Sequence, residues 1–500
     1  MAMICMVNRT AVARLSEQQE QIVHPTMNIS DFYTKEAAIS PVNGSEIIST
    51  MAPARHKRQL VEEDKCSGPF VKATKGAEKY NGELVISKAD QGLIFTSFYA
   101  GGLAIVIPGS YLCDRFGAKK VVLIGAMVNV IGTFITPSVA KFFGAWALIL
   151  LRFIMGCGQG VLVPCMNVLI AHWFPLAEKS TAIAIATTGN QFSVIVAMFA
   201  TAELCQIIGW PFAFYTYGVV GLMFCLIWLL WVYDTPAKAK KISTNEINFI
   251  RGGGPKSDGK INPKLVPWRS ILSSMVVWAI ALSSFSQNFM TVGIVTYIPA
   301  YYQSVLRMDL TSNGVMSALP FIIQLLTKIL FAAIADTLKA RKLMSHTSVT
   351  KLFNLIGSIG SGISILLLTF CDCYSAVWAI LLINAAVGLS SGFIPGYNTS
   401  IVCVAPRFTS SVASFSRLLG QIASVASPYM IGFVVKKGTR EEWQFSFYVI
   451  SFILIASGIL FQFYGSASIQ PWAKQEIKEV TIESVKEDTA AFLPKPEVET

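Results

Sequence analysis

Long apolar runs, separated by short polar connections, fill the chain between about residues 91 and 465. An α-helix that crosses the hydrocarbon core of a bilayer needs about 20 mainly apolar residues. By that measure the sequence predicts complete spans at 91–112, 121–140, 145–171, 181–208, 211–233, 271–299, 312–335, 348–370, 374–396, 409–435 and 444–465. Helices are predicted because lipid leaves an open sheet edge without hydrogen-bond partners. The predicted fold class is therefore an all-α membrane protein with eleven complete spans.

Glycines recur along several of these spans. The clearest clusters are Gly101-Gly102, Gly156-x-Gly158-x-Gly160 and Gly357-x-x-Gly360-x-Gly362. Glycine lets two helix backbones approach closely, and a helix surrounded by lipid does not need it. We therefore expect these faces to lie inside a packed bundle.

The charged residues lie mostly in the connections and predict the orientation of the chain. Only 14% of the 500 residues are charged and the formal net charge is +11, whereas soluble domains carry about 25% charged residues. Basic connections around 115–120, Lys179, 238–269 and 339–342 alternate with connections of low charge, except for the basic 436–440. The positive-inside rule makes these connections cytoplasmic, together with the tail at 466–500. Topology thus explains the charge without a nucleic-acid partner.

Residues 1–90 are interpreted as the outer end of a first span and an extracytoplasmic loop. The orientation places residue 91 outside, and glycosylation sequons begin at Asn8, Asn28 and Asn43. Glycans on sequons belong outside the cell. Since residues 1–7 form a short apolar stub, we expect a first span that is mostly missing, through a shortened isoform or an incomplete gene model. The alternative is a disordered cytoplasmic tail with three chance sequons.

An internal repeat divides the chain into two halves. A small residue, three variable residues and an aspartate precede basic residues twice, at 110–120 and at 332–342. The polar loop 235–270 separates a first half at 91–234 from a second half at 271–465. Two six-span halves related in this way are the plan of the major facilitators.

The repeated motif is a candidate cytoplasmic gate. Its residues are Asp114 and Arg115 in the first half and Asp336, Lys339 and Arg341 in the second. An aspartate at a helix end can accept hydrogen bonds from N-terminal amides of another helix and can pair with arginine, which would hold the halves shut on the inside. The alternative is that these charges only set the topology.

A series of short motifs runs in order from about Gln91 to Ala473. They are Pro108-Gly109 with Asp114-Arg115; Leu151-Arg152-Phe153 with Gly156-x-Gly158-Gln159-Gly160 and Pro164; Trp173-x-Pro175-x-x-Glu178-Lys179-Ser180; Gly209-Trp210 with Phe214-Tyr215-x-Tyr217-Gly218; Asp234-Thr235-Pro236-Ala237-Lys238; Ser317-Ala318-Leu319-Pro320; Gly396-Tyr397-Asn398; Ala405-Pro406-Arg407; Arg440-Glu441-Glu442-Trp443-Gln444; and Gln470-Pro471-Trp472-Ala473. Together they resemble solute carrier family 17, the anion transporters that include vesicular glutamate transporters, sialin and sodium–phosphate cotransporter relatives. The resemblance implies a major facilitator fold and a first span with a substrate-facing arginine.

Four ionisable residues lie at least five residues from either end of a predicted span, namely Arg152, Glu203, Lys328 and Arg417. Such residues are costly in a bilayer, at about 2.5–3.5 kcal/mol on insertion scales, and mark function. Three positive charges against one negative favour an anion in a central cavity, and arginine binds carboxylate or phosphate bidentately. Arg152 matches the transport arginine of the family that the chain resembles. We expect Lys328 and Arg417 to face the cavity, with interior ion pairs as the alternative. Glu203, near an outer end, is expected to snorkel or pair.

Three positions depart from the glutamate-transporting relatives. In proton-linked members a glutamate follows the transport arginine by seven residues, and that position is Gln159 here. An arginine on helix seven of the glutamate transporters corresponds to Gln287, and a helix-two histidine corresponds to Phe95. Gln159 and Gln287 remain candidate substrate-binding residues. Since glutamine cannot titrate, proton-linked glutamate transport is not expected.

The leading hypothesis is alternating-access transport of a small organic or inorganic anion, driven by a secondary gradient or by the membrane potential. Na⁺ is the candidate coupling ion, and no other cofactor, metal or catalytic site is expected. We expect a monomer in the lipid bilayer of the plasma membrane or of an intracellular vesicle or lysosome. The ten cysteines lack metal or CxxC spacing and are interpreted as small buried hydrophobes. The alternative function is a non-transporting or regulatory membrane protein, or an inactive truncated isoform.

Overall fold

A computed structural model describes residues 5–7, 82–174, 179–236, 267–372, 374–405 and 408–473, with a few positions between 239 and 250. The described part is helical, apart from an isolated parallel bridge between Val7 and Leu84. The predicted sequons at Asn8, Asn28 and Asn43 lie outside the described residues, as do most of the loop 235–270 and the tail from 474 onward.

The helices of the first half lie between residues 88 and 231. They are α1 Lys88–Phe116, α2 Ala118–Phe142, α3 Gly144–Gly160, α4 Leu162–Trp173, α5 Lys179–Ile207 and α6 Trp210–Trp231. The helices of the second half are α7 Trp268–Ser273, α8 Met275–Ser304, α9 Leu310–Ala340, α10 His346–Leu355, α11 Ser361–Leu368, α12 Ala376–Leu389, α13 Thr399–Val404, α14 Thr409–Val434 and α15 Arg440–Tyr464.

The helices confirm the predicted fold class. Among the described residues, eight helical runs are long and apolar enough to cross a membrane. The three remaining predicted spans, at 91–112, 181–208 and 409–435, coincide with α1, α5 and α14, of 29, 29 and 26 residues. These three helices take part in the contacts between the halves: α1 contacts α14, and α5 contacts α9.

Several predicted spans are interrupted in the structure at positions that the sequence does not predict. The span predicted at 145–171 is divided at Val161 between α3 and α4, and the span predicted at 271–299 begins four residues late because Ser274 is extended. A π-helical segment, Ile356–Gly360, joins α10 to α11. A 3₁₀ turn, Ser390–Phe393, and a second π-helical segment, Ile394–Asn398, interrupt the span from α12 to α13. Pro395 accounts for the last break, since proline removes a backbone donor.

The glycine faces predicted for a packed bundle lie at helix–helix contacts, and this prediction is confirmed. A Cβ at Gly156 of α3 would overlap the carbonyl oxygen of Phe98 on α1. On the opposite face of α3, a Cβ at Gly158 would lie 2.7 Å from the carbonyl oxygen of Gly125 on α2. Backbone therefore contacts backbone on both sides of α3, which fixes the helix that carries Arg152. In the second half, a Cβ at Gly357 would lie 2.9 Å from the backbone nitrogen of Phe393.

The outer end of the first half holds the N-terminal residues that the structure describes. Cys5, Met6 and Val7 are buried in a cluster with Leu148 and Trp210, among others. The backbone N–H of Leu84 donates to the carbonyl of Met6 at 2.9 Å. Residues 5–7 therefore pack at the outer edge of the bundle, on the side where the sequence places the loop.

Candidate substrate pathway

The polar and aromatic contacts between the two halves lie at the outer ends and the middle of the helices. Near the outer ends of α1 and α14, a Cβ at Gly92 would lie 2.7 Å from the Cα of Gly432. The rings of Phe95 and Tyr297 meet edge to face at 5.6 Å. Further contacts join α5 to α9: the hydroxyl of Thr311 donates to Gln206 at 2.8 Å, and Gln191 donates to Gln324 at 3.4 Å.

The described gate residues at the cytoplasmic ends make their contacts within their own helices. Lys339 pairs with Asp336 at 3.8 Å on α9, and Asp336 is 80% exposed. Arg115 donates to the hydroxyl of Tyr111 at 2.9 Å on α1. Arg341 is exposed, and the side chain of Asp114 lies outside the described part. Among the described residues, the contacts named between the halves lie at the outer ends and the middle, and the gate residues form none across the halves, which is the pattern of an inward-open arrangement. The gate stays a prediction, since it would form when the inner ends close.

A carboxylate that has no predicted role anchors the cytoplasmic end of the first half. Asp234, which follows α6, accepts a hydrogen bond from the backbone N–H of Lys119 in the first turn of α2 at 2.7 Å. The indole N–H of Trp228 donates to the carbonyl of Lys119 at 3.1 Å, and that of Trp173 donates to the carbonyl of Tyr233 at 2.9 Å. A negative charge at a helix N-terminus is stabilising. In the sequence, the signal for this role is the Asp234-Thr235-Pro236 motif.

In the first half, Arg152 lies on α3, one helical turn before the glycine contact at Gly156. Its guanidinium carbon lies 6.0 Å from the centre of the Phe214 ring on α6, a cation–π arrangement. Within the described part of the chain, no carboxylate lies within ion-pair distance of Arg152. Gln159 follows two helical turns later, on the same side of α3, and is exposed. The alternative predicted for Arg152 is a salt bridge, and the described residues do not form one with it.

In the second half, the structure brings together Gln287 and Tyr397, and Arg417 lies on α14 one turn before the contact of that helix with α8. The phenol of Tyr397, in the π-helical break, donates to the side-chain oxygen of Gln287 on α8 at 2.6 Å. Arg417 is exposed on α14, one turn before Gly420. A Cβ at Gly420 would lie 3.0 Å from the hydroxyl of Ser284, so α14 packs tightly on α8 here. Tyr397 belongs to the Gly-Tyr-Asn motif, but nothing in its spacing predicts this contact.

The other two ionisable residues lie apart from these groups along the chain. Lys328 is half-buried on α9, next to Thr327, whose hydroxyl donates to the carbonyl of Gly388 on α12 at 2.9 Å. Glu203 is half-buried near the outer end of α5. The assignment of Lys328 to the cavity and the expected snorkelling or pairing of Glu203 both stay predictions.

Comparison with known proteins decides the family. The family model described as Major Facilitator Superfamily matches residues 64–353. The chain belongs to the major facilitator superfamily. The fold agrees with solved structures: a D-xylose–proton symporter has a TM-score of 0.61 at 14% identity, covering 76% of this chain and 90% of that one. A bacterial homologue of the human lysosomal transporter Spinster, inward-facing and occupied, has a TM-score of 0.58 at 15% identity, covering 76% and 89%.

Relatives in sequence place this transporter in solute carrier family 17. "Uncharacterized transporter slc-17.3" of Caenorhabditis elegans is 30% identical over 95% of this chain and 85% of its own length. Human sialin is 31% identical, and the match covers 77% of each chain. Vesicular glutamate transporter 1 of Bos taurus is 32% identical over 77% of this chain and 69% of its own. The protein is thus an integral, multi-pass membrane transporter.

Proposed function

We propose that this protein moves a small organic or inorganic anion across the membrane by alternating access. The observation that carries the proposal is Arg152, a half-buried guanidinium within a membrane span that contacts a ring and no carboxylate among the described residues. Arginine keeps its charge in proteins, and a charge at this depth needs a partner. A carboxylate or phosphate on the substrate would supply that partner bidentately.

The names of the relatives support a substrate with an acidic group. They include "Putative inorganic phosphate cotransporter" of Drosophila melanogaster, 29% identical over 80% of this chain and 76% of its own, as well as sialin and vesicular glutamate transporters. Because these names differ in substrate, they favour an anion-binding cavity in this chain without selecting one anion.

Gln159 bears on the coupling. It is exposed in the last turn of α3, two turns from Arg152. Where a carboxylate would change charge with pH and alter the field on the arginine, an amide presents the same field at every pH. We therefore propose that transport depends weakly on pH and draws on Na⁺ or on the membrane potential, which acts on a charge by about 2.3 kcal/mol per 100 mV.

Uptake measurements test the proposal. Cells that express the full chain should accumulate at least one of radiolabelled phosphate, urate, glutamate or sialate, with Na⁺ and proton gradients imposed separately. Arg152→Ala should abolish that uptake, and Arg152→Lys should reduce it strongly because an ammonium lacks the planar fork of guanidinium. Arg269→Ala, an exposed change on α7, is the matched control and should transport normally. Normal uptake by Arg152→Ala at equal surface expression would show that the central anion site is wrong.

A further inference from the structure

The side-chain amide of Gln287 is held in one orientation by a neighbouring helix. The hydroxyl of Tyr397 donates to the Gln287 Oε1 atom at 2.6 Å, a short bond for this pair. The tyrosine is only 4% exposed, whereas Gln287 is half-buried. Ring packing holds the tyrosine in place, since the Phe393 and Tyr397 rings meet edge to face at 5.7 Å.

The chemistry of the two groups sets the direction of this hydrogen bond. A phenol has a single proton to donate, and an amide oxygen can only accept. The proton of Tyr397 is therefore shared with the Gln287 oxygen. The carbonyl end of the Gln287 amide is then occupied, and the NH₂ end keeps its two donors for another partner.

A positive charge lies in the same neighbourhood. Arg417 is exposed on α14, one turn before the place where that helix packs on α8. Gly420, one turn later, allows α14 to approach Ser284 and Asn288 of α8 closely. One donor-rich group of side chains is therefore formed by α8, α14 and the π-helical break. In this group, Gln287 can donate hydrogen bonds to an anion or a polar oxygen, and the guanidinium of Arg417 lies nearby.

We propose that Tyr397 is a positioning residue which presents the NH₂ group of Gln287 to an oxygen atom of the substrate, beside Arg417. This inference rests on the proposed function and deepens it. The substrate would be an anion that carries a second oxygen acceptor, such as a hydroxyl, carbonyl or second acidic group, in addition to the acidic group bound at Arg152. An amide donor suits such an oxygen whether or not it is charged.

The test is a double-mutant cycle on the transported anion. Tyr397→Phe keeps the ring and removes the proton that orients Gln287. We expect the KM for uptake to rise by about three- to tenfold, as for the loss of one hydrogen bond, with the maximal rate nearly unchanged. Gln287→Ala should raise KM by a similar factor. The double variant should be no worse than Gln287→Ala, because Tyr397 acts through Gln287.

A second tyrosine provides the matched control. The hydroxyl of Tyr302 on α8 is buried and has no hydrogen-bond partner among the described residues. Tyr302→Phe should therefore leave KM unchanged. If Tyr397→Phe does not reach the membrane, Gln287→Glu replaces it: the side chain keeps its size and loses both donors, so the KM should rise at least as far as in Gln287→Ala.

Three outcomes would overturn the inference. One is an unchanged KM in Tyr397→Phe, or in Gln287→Glu where that variant is used. Another is an increase in KM for Tyr397→Phe that persists in the Gln287→Ala background, since an effect independent of Gln287 is purely structural. The last is a wild-type protein that takes up none of the anions, which refutes the proposed function itself and with it the positioning role. Transport by the wild type with additive variants would refute the positioning role alone.

Discussion

Gly156 gives a direct test of how α3 is held in place. A Cβ added there would overlap the carbonyl oxygen of Phe98 and lie 3.2 Å from the Cα of Gly101. All of these neighbours are backbone atoms of α1, so no side chain can rotate away to relieve the overlap. Gly156→Ala must therefore push α1 and α3 apart.

The expected cost follows from this geometry. Forcing an extra methyl group into a well-packed interior costs about 1–3 kcal/mol. The better helix propensity of alanine offsets about 0.5–1 kcal/mol of that cost. Because Arg152 lies one helical turn before Gly156 on the same helix, the displacement should also weaken anion uptake.

The measurement is the melting temperature of the purified protein in detergent, together with its uptake rate in cells. Gly189→Ala is the matched control, since no heavy atom lies within 4 Å of a Cβ at Gly189 on α5. It should melt at the wild-type temperature or above. Equal melting temperatures for Gly156→Ala and Gly189→Ala would refute the close α1–α3 contact.

Two further predictions concern pH. Gln159→Glu should make transport pH-dependent, with faster uptake on the acidic side between about pH 5.5 and 7.5; initial rates under clamped voltage measure this, and a wild type with steep acid stimulation would contradict it. Lys141 donates a hydrogen bond to Glu83 at 2.8 Å and lowers the pKa of that carboxyl. The pair therefore stabilises the fold above the ordinary glutamate pKa and stops doing so as pH falls through the lowered one. Lys141→Met should cost at most about 1 kcal/mol at pH 7, because both groups are exposed, and less at pH 3, which lies below the ordinary glutamate pKa. An equal change in melting temperature at both pH values would contradict this account.

The spans and their packing faces could be predicted because both depend on local composition. About 20 apolar residues suffice to cross a bilayer, and the glycines at 156 and 158 mark both contact faces of α3 through their spacing along the chain. The breaks at Val161 and at 390–398 could not be predicted from hydropathy. A short run of 3₁₀ or π-helix changes the hydrogen-bond pattern of a span, and mean hydropathy does not report that pattern.

Contacts between distant segments could not be predicted in this way. Asp234 lies 115 residues from Lys119, and Tyr397 lies 110 residues from Gln287. Neither pair leaves a periodic signal, because each needs only one suitable side chain brought close by the bundle. The repeated motif predicts that the aspartate at 114 accepts hydrogen bonds from the N-terminal amides of a helix. Among the described residues, the side chain that accepts a hydrogen bond from the first turn of α2 is that of Asp234.

The inward-open arrangement itself could not follow from the sequence, since an alternating-access transporter uses one sequence for two arrangements that differ by only a few kcal/mol. Among the described residues, the contacts between the halves include the hydrogen bonds Thr311–Gln206 at the outer ends and Gln191–Gln324 in the middle, each of which contributes about 1 kcal/mol. Such contacts can be exchanged for an equal number on the inside. The exposed Asp336 and Arg341 are available for that exchange. Under the proposed function, the substrate binds Arg152 and Gln287 together. A difference of a few kcal/mol in its affinity for the inward-open and outward-open arrangements is then enough to shift the equilibrium between them.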